Sequence, residues 1–246
     1  MNSVLAIKDL KVGFKTGFFE SKEILHSIGF EVPQGKIFGF LGPNGSGKTT
    51  TIKTVLGLIP EFEGVISIFN QEGRDSSIRQ RIGFAPENAY FSPLLTPREV
   101  LNSMGRLSGM DTAQIQENSN YWLKRLNLDH VMDSTIQTFS KGMRQRLNLV
   151  QALLHDPELL ILDEPTTGLD PIGRKEIKQL IVEMKEKGKT VLVCTHNLLE
   201  AQEICDEICI IYQGNIIQQG VLAELLPDSL NLEEYFIEQV GEADRE

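Results

Sequence analysis

A glycine-rich octapeptide is the strongest chemical signal in the sequence. Residues 42–49 match the pattern of a glycine, four residues, and then Gly-Lys-Ser/Thr. Glycines let the backbone wrap closely around a polyphosphate, while N–H groups and the start of the next helix attract negative charge. The spacing predicts a phosphate-binding loop made of Gly42, Pro43, Asn44, Gly45, Ser46, Gly47, Lys48 and Thr49, with Thr50 beside it.

Lys48 and Thr49 are the side chains of this loop that we expect to do chemistry. Lys48 is placed to reach the β- and γ-phosphates of a nucleotide, and the Thr49 hydroxyl is placed to ligate Mg²⁺. The alternative is a plain glycine turn with an exposed lysine, although a chance match rarely falls between a strand and a helix. We therefore predict that the chain binds ATP together with Mg²⁺.

Two carboxylates follow a short apolar run at residues 159–162. In proteins with a phosphate loop, an aspartate at the end of a buried strand holds the Mg²⁺ shell, which is the role predicted for Asp163. Glu164 comes next and points another way, so it is placed to polarise a water for in-line attack on the γ-phosphate. The alternative is a helix N-cap region, where acidic residues after a strand are common.

Strand-like and helical segments alternate along much of the chain, which favours an α/β fold with a mainly parallel sheet. The predicted strands are 4–12, 24–32, 37–41, 65–69, 81–85, 159–162, 190–194 and a hairpin of 208–212 with 215–219. The predicted helices are 49–57, one starting at 96–97, 141–155, one from 171 to 188, 198–206 and 232–240, with 241–246 expected to fray.

The middle of the chain carries helical signals and little strand character. At its start Thr96 can cap a helix, Pro97 fits the first turn, and Glu99 can reach back to the cap. We predict one domain over 1–246 with a P-loop NTPase fold. Residues 1–87 and 146–225 form an α/β core with an N-terminal antiparallel β subdomain, 88–145 an inserted α-helical subdomain, and 226–246 a C-terminal helix and tail.

The composition narrows the class of protein. The 246 residues include 24 Lys and Arg against 34 Asp and Glu, and the net charge of −10 argues against a nucleic-acid-coating surface. No apolar run approaches the roughly 20 residues that a membrane helix needs, and the N-terminus lacks a signal-peptide pattern. The three cysteines lie in apolar segments, which favours reduced, buried thiols in a cytosolic protein.

A pentapeptide at the start of a predicted helix is the motif that best indicates a protein family. It runs Phe139, Ser140, Lys141, Gly142, Met143, and Ser140 can cap the helix. Over about residues 4–236 the sequence resembles the nucleotide-binding subunits of ABC transporters, whose signature at this place is Leu-Ser-Gly-Gly-Gln. The first, third and fifth positions depart from it. The resemblance implies that Ser140 and Gly142 contact the γ-phosphate held by the opposite subunit of a dimer.

Two further positions match motifs of the same family. His196 follows a predicted strand and is implied as the switch histidine, which contacts the γ-phosphate and helps to hold Glu164 and the attacking water. A structural histidine is the alternative there. Asp170 matches the loop that meets the partner subunit, and simple helix capping is its alternative, although both roles are compatible.

Glu87 and Phe14 match the family less closely. Glu87 falls where most members place a glutamine that joins Mg²⁺ to the membrane partner; a carboxylate can ligate the metal but cannot donate a hydrogen bond when ionised. A solvated loop glutamate is the alternative. Phe14 matches the aromatic residue that stacks on adenine, with Phe18 or Phe19 of an enlarged loop at 17–22 as alternatives.

The resemblance implies an ATP-hydrolysing motor subunit, of exporter type, at the cytoplasmic face of a membrane. Its implied partners are separate membrane permease subunits and a second ATPase chain, identical or similar, and no nucleic acid. Two chains would sandwich two ATP molecules. Each site would combine the phosphate loop, Asp163, Glu164 and His196 of one chain with Ser140 and Gly142 of the other. The alternatives are a soluble ABC-type ATPase acting on ribosomes or DNA, and an unrelated P-loop kinase or GTPase.

Overall fold

The computed structural model describes residues 2–15, 21–72, 76–226 and 230–245. By its packing the chain divides into two compact units. The first unit comprises Met1–Ile78 with Ile181–Glu246, and the second unit comprises Arg79–Leu180. Most of the predicted loop at 17–22, with Phe18 and Phe19, lies outside the described residues.

The elements follow the alternation that the sequence predicts. The strands are β1 (Ser3–Lys15), β2 (Ser21–Pro33), β3 (Ile37–Leu41), β4 (Glu63–Ile68), β5 (Gln71–Glu72), β6 (Ile82–Ala85), β7 (Leu159–Asp163), β8 (Thr190–Thr195), β9 (Glu207–Tyr212) and β10 (Asn215–Val221). The helices are α1 (Lys48–Val55), α2 (Ser76–Arg79), α3 (Pro97–Leu107), α4 (Thr112–Arg125), α5 (Lys141–Leu153), α6 (Pro171–Glu186), α7 (Leu198–Ile204), α8 (Leu222–Leu225) and α9 (Leu232–Ala243). Two short 3-10 turns lie at Asp129–Val131 and Ile136–Thr138.

The first unit contains an antiparallel sheet with the strand order β2-β1-β4-β5. Leu5, Ile7 and Leu10 of β1 are buried, and β1 pairs with β2 on one side and β4 on the other. A strand between two neighbours has its backbone satisfied on both edges, so β1 holds this sheet together. The predicted N-terminal antiparallel β subdomain is therefore confirmed.

The same unit contains a mixed sheet in which β3 is the central strand. It pairs in parallel with β8 and with β9, and β10 extends the sheet as the antiparallel partner of β9. Every residue of β3 is buried, as expected for a parallel strand covered on both faces. Phe30 of β2 stacks on Phe38 and Phe40 of β3 with ring centroids 5.7 and 4.8 Å apart, forming the aromatic part of the core.

The second unit joins the parallel pair β6 and β7 to the helices α3, α4 and α5. Thr96 caps α3 with the predicted reciprocal bonds, because its side chain accepts from Glu99 N while the Glu99 carboxylate accepts from Thr96 N at 2.8 Å. Helices α3 and α4 approach closely where a methyl group added to Gly105 would lie 2.4 Å from Ile115. Close approach of this kind requires glycine at position 105.

Comparison with the sequence-based elements confirms the α/β class and moves several boundaries. Strand β4 begins and ends earlier than predicted, because Phe69 and Asn70 have positive φ angles and form a turn. The expected fraying from residue 241 is wrong for the first three residues, since α9 continues to Ala243. A capping box at Asn231 and Glu234 stabilises its start, and Tyr212 Oη donates to Asp244 at 3.4 Å near its end. The short elements β5, α2 and α8 carry no hydrophobic period and were not predicted.

Candidate functional site

The predicted phosphate loop joins β3 to α1 in the first unit. Gly47 stands at the N-cap of α1 with φ +115°, a left-handed conformation that favours glycine, and it offers no side-chain acceptor to the first turn. The amides at the start of α1 are therefore not satisfied by a side-chain cap. A helix start in this condition attracts an anion through its N–H groups and its dipole.

Two side chains of the loop point inward. Lys48 is buried, with 6% of its surface exposed, and its ammonium donates to the carbonyl oxygens of Gly42 at 2.6 Å and Pro43 at 3.0 Å. The Ser46 hydroxyl is buried and, among the described residues, has no hydrogen-bond partner. A loop curled around an ammonium group, with an orphaned hydroxyl in its wall, has the shape and chemistry of a phosphate cradle.

The remaining residues predicted for this loop line its rim. Pro43 is half-buried, Asn44 and Gly45 are exposed at the tip, and Thr49 is exposed in the first turn of α1. Thr50 is half-buried, and its carbonyl accepts from the Thr54 hydroxyl at 2.8 Å. Thr49, the residue predicted to ligate Mg²⁺, is therefore accessible from solvent.

Phe14 and His196 belong to the same unit as the loop. Phe14 lies near the end of β1, opposite Lys22 of β2, and 45% of its surface is exposed. His196 is exposed and directly follows β8, whose last residue Thr195 pairs with Leu41. Because β3 and β8 are parallel, Gly42 and His196 leave the sheet at the same edge, where ligands of such sheets bind.

Asp163 is the last residue of β7 in the second unit, and Glu164 directly follows it. Both are buried, at 2% and 5% exposure, and Glu164 has the unusual φ of +50° for a non-glycine residue. Its carbonyl accepts from Thr167 N at 3.2 Å, which closes a turn directly after the strand. Carboxylates are seldom fully buried, so two adjacent buried ones are candidates for a functional role.

Ser140, Gly142 and Asp170 lie together in the second unit. They line an open cavity of about 490 Å³, together with Lys141 and Gly168. The Ser140 hydroxyl accepts from Met143 N at 3.1 Å and caps α5, and Asp170 Oδ1 accepts from Gly173 N at 2.7 Å in α6. Both predicted caps are therefore present, and they bring the signature helix and the loop before α6 to one surface.

Glu87 is exposed just after β6, whose last residue Ala85 pairs in parallel with Leu162 of β7. The Glu87 loop and the carboxylates Asp163 and Glu164 therefore leave their strands at the same edge. Helix α5 carries two buried amides that hold these segments. Asn148 Nδ2 donates to Pro86 O at 2.7 Å, and Gln145 Nε2 donates to Pro165 O at 3.1 Å.

The sequence interpretation missed these two amides. Gln145 and Asn148 are spaced three residues apart and so lie on the same face of α5 as its apolar residues. Polar residues on an apolar helix face are the signal that identifies them, because a buried amide needs hydrogen-bond partners. Their partners are the carbonyl of Pro86, directly before Glu87, and the carbonyl of Pro165, directly after Glu164.

The donors predicted for Mg²⁺ suit that ion. Thr49, Glu87 and Asp163 offer oxygen ligands only, which a hard cation prefers. Among the described residues, no three His, Cys, Asp or Glu side chains cluster closely enough to hold a metal by themselves. Mg²⁺ is commonly bound by one or two carboxylates together with substrate phosphates, so this donor set fits a metal that arrives with a nucleotide.

A protein-family comparison decides the class of the chain. The family described as ABC transporter matches residues 25–167, which contain the phosphate loop, the signature and the Asp163–Glu164 pair. The chain belongs to the ABC transporter family. Among the helices of the described residues, none is both long and apolar enough to span a lipid bilayer.

Named relatives place this ABC protein among ATP-binding subunits. An uncharacterised ABC transporter ATP-binding protein of Synechocystis is 39% identical over 87% of this chain, and the match spans 61% of that relative's length. The Nod factor export ATP-binding protein I of Burkholderia lata is 37% identical over 86% of this chain, and the match spans 70% of that protein's length.

Solved ABC structures share the fold. A structure of an ATP-binding subunit of an ABC transporter superposes with a TM-score of 0.87 at 30% identity and covers 97% of this chain and 100% of its own. A dimeric ATP-binding cassette, bound to ADP and Pi in a post-hydrolysis state, superposes with a TM-score of 0.81 at 26% identity. The match covers 89% of this chain and 98% of that structure's chain. The P-loop NTPase fold and the interpretation as an ATP-hydrolysing ABC subunit are confirmed, and nothing supports the ribosome or DNA alternative.

Proposed function

We propose that this ABC subunit hydrolyses ATP to drive export through separate membrane permease subunits, bound at the cytoplasmic face of the membrane. The observation that carries the proposal is the phosphate loop, where a buried lysine lies against the loop's own carbonyls beside an uncapped helix start. The export direction is supported by the similarity to a Nod factor export ATP-binding protein.

In the proposed reaction, the predicted site residues of the first unit have separate roles. Nucleotide binding draws the Lys48 ammonium from the carbonyls of Gly42 and Pro43 to the β- and γ-phosphates, where it offsets their charge. Residues 44–50 supply backbone amides to the phosphate oxygens, and Phe14 stacks on adenine. The His196 imidazole contacts the γ-phosphate as the terminal bond breaks.

The second unit supplies the proposed carboxylates. Glu164 accepts a proton from a water whose oxygen attacks the γ-phosphorus, and the bond from that phosphorus to the bridging oxygen breaks, leaving ADP and phosphate. Thr49, Asp163 and Glu87 would hold Mg²⁺, which when bound offsets charge on the β- and γ-phosphates. We propose the domain division predicted above, with the Glu87 loop and the helical insertion of 88–145 facing the permease.

The site is proposed to be completed by a second ATPase chain, an identical copy being the simplest. Ser140 and Gly142 of one chain would face the γ-phosphate bound by the other chain. Asp170 would lie where the two chains meet. Supporting this pairing, the three residues share one open surface here, and a similar cassette is dimeric with ADP and Pi.

Hydrolysis tests the proposed loop chemistry. The Lys48→Ala variant should lose at least about 100-fold in Mg²⁺-dependent ATPase activity, because a charged contact to the transferred group is absent. Lys53→Ala, which removes an exposed lysine from the same helix, is the matched control and should keep its activity. Equal activity of the two variants would contradict the role of Lys48.

Purification from the native membrane tests the proposed partners. A tagged chain extracted in mild detergent should bring down a polytopic membrane protein in stoichiometric amount, identified by mass spectrometry. A chain that recovers no membrane protein under conditions that keep its ATPase activity would contradict the permease partnership.

A further inference from the structure

The tight turn between β9 and β10 lies against the phosphate loop. The turn consists of Gln213 and Gly214, which both have positive φ angles, 45° and 78°. Gly214 N donates to the carbonyl oxygen of Ser46 in the loop at 3.0 Å, and Gly214 O accepts from His26 N of β2 at 2.9 Å. One residue of the hairpin therefore ties the loop to the antiparallel sheet through its own two backbone groups.

Ile211, two residues before that turn, packs against both ends of the loop. A methyl group added to Gly42 would lie 2.2 Å from the Ile211 carbonyl oxygen and 3.1 Å from its Cγ2. A methyl group added to Gly47 would lie 3.2 Å from Ile211 Cδ1 and 2.5 Å from Leu25 Cδ2 of β2. The Ile211 side chain therefore lies next to the first and the last glycine of the loop, with Cγ2 near Gly42 and Cδ1 near Gly47, while the Ile211 carbonyl and Leu25 leave no room for a side chain at either glycine.

The hairpin that carries Ile211 is held on its other side by the C-terminal helix α9. Gln218 Nε2 of β10 donates to Tyr235 Oη at 2.7 Å, and Tyr212 Oη of β9 donates to Asp244 Oδ2 at 3.4 Å. Ile211 itself is fully buried. These contacts with α9 hold the hairpin in place. If the phosphate loop moved away from Ile211, the hairpin would not follow it and a gap would open between them.

We infer that Ile211 is a positioning residue for nucleotide binding, which holds the phosphate loop in its binding conformation before the nucleotide arrives. A loop that populates other conformations binds phosphate more weakly in proportion to the fraction that is competent. Ile211 does not contact the nucleotide itself and acts through Gly42 and Gly47. The inference rests on the proposed function of residues 42–49 as the nucleotide phosphate site.

Removing one methyl group from Ile211 tests the inference. The Ile211→Val variant deletes Cδ1, the atom that faces Gly47, and it should raise the dissociation constant for MgADP about three- to tenfold in isothermal titration calorimetry of the full chain. The matched control is Ile210→Val, which makes the same deletion at a fully buried position on the opposite face of β9. Ile210→Val should lower the thermal unfolding midpoint about as much as Ile211→Val does, but it should change the dissociation constant for MgADP less than twofold.

The two measurements separate a positioning role from general loss of stability. Unchanged MgADP affinity in Ile211→Val, or an equal rise in Ile210→Val, would overturn the inference while leaving the nucleotide site intact. Failure of the unaltered chain to bind MgADP would contradict the nucleotide site itself. Should Ile211→Val not fold, Ile211→Leu keeps the same number of atoms while moving a methyl group, and the same increase in dissociation constant is expected.

Discussion

Glu164 shows how much of this site depends on the backbone of one residue. Its φ of +50° places a glutamate in the left-handed region, which costs about 1–3 kcal/mol for a non-glycine residue. Thr167 N and the Gln145 amide hold the backbone of this turn in place. The sequence indicates the carboxylate and its position after a strand, but the conformation also depends on the contact with Gln145, which no local pattern encodes.

Cys205 is a residue whose chemistry is suppressed by its surroundings. Burial raises the pKa of its thiol from an ordinary 9.0 to about 12, with a smaller contribution from the negative charge of Asp206, and burial also raises the pKa of the Cys209 thiol. Only the thiolate is nucleophilic, so we predict that iodoacetamide at pH 8 modifies neither cysteine in the native chain. Mass spectrometry after one hour should show both thiols intact.

The raised thiol pKa also predicts how stability depends on pH. Below pH 9 both folded and unfolded Cys205 keep the proton, so its full contribution to stability is present. Between pH 9 and about 12 only the unfolded thiol ionises, and the free energy of unfolding should fall as the pH rises through that window.

For the modification experiment, iodoacetamide treatment in 8 M urea is the control for accessibility. Modification of the native chain at the urea rate would contradict the buried, protonated state.

At the scale of elements, α5 joins the signature to two loops of the second unit. Its N-terminus carries Ser140, while Asn148 and Gln145 on its buried face bind the backbone beside Glu87 and Glu164. A methyl group added to Gly83 of β6 would lie 2.1 Å from the Ala152 carbonyl, so the strand and the helix are in direct contact. The helix therefore fixes these loops through hydrogen bonds and close packing together.

Asn148→Ala tests the contribution of this helix. Asn148 is fully buried, and besides its bond to Pro86 O it accepts from Gln151 Nε2 at 2.9 Å. The substitution leaves the Pro86 carbonyl and the Gln151 amide without this partner, so the free energy of unfolding should fall by about 1–3 kcal/mol in urea titrations. Asn120→Ala, at an exposed position of α4, should change it by less than about 0.5 kcal/mol. Equal effects of the two substitutions would contradict this account.

Elements with a strong hydrophobic period or a capping pattern could be predicted from the sequence. The all-apolar strand at 37–41 and the Thr96–Glu99 cap are examples, because their signals are local. The contacts of Ile211 and Gly214 with the loop could not be predicted, since they join residues more than 160 positions apart. The left-handed turn at Phe69 and Asn70 was missed because neither residue is glycine.

Considered as a whole, the molecule has part of the proposed ATPase site in each unit. The first unit holds the phosphate loop, and the second unit holds the carboxylates and a surface with Ser140, Gly142 and Asp170. The signature surface has no role within its own chain in the proposed reaction. Its open cavity is therefore expected to meet a nucleotide bound by a second chain.

The oligomeric state of Glu164→Gln with ATP and Mg²⁺ tests whether ATP joins two chains, as proposed. This substitution keeps the size of the side chain and removes the proposed proton acceptor, so hydrolysis should fall at least about 100-fold while nucleotide affinity is retained. Gel filtration with light scattering should then show a stable dimer with ATP and a monomer without it. Hydrolysis near the normal rate, or a chain that remains monomeric at saturating ATP, would contradict the account.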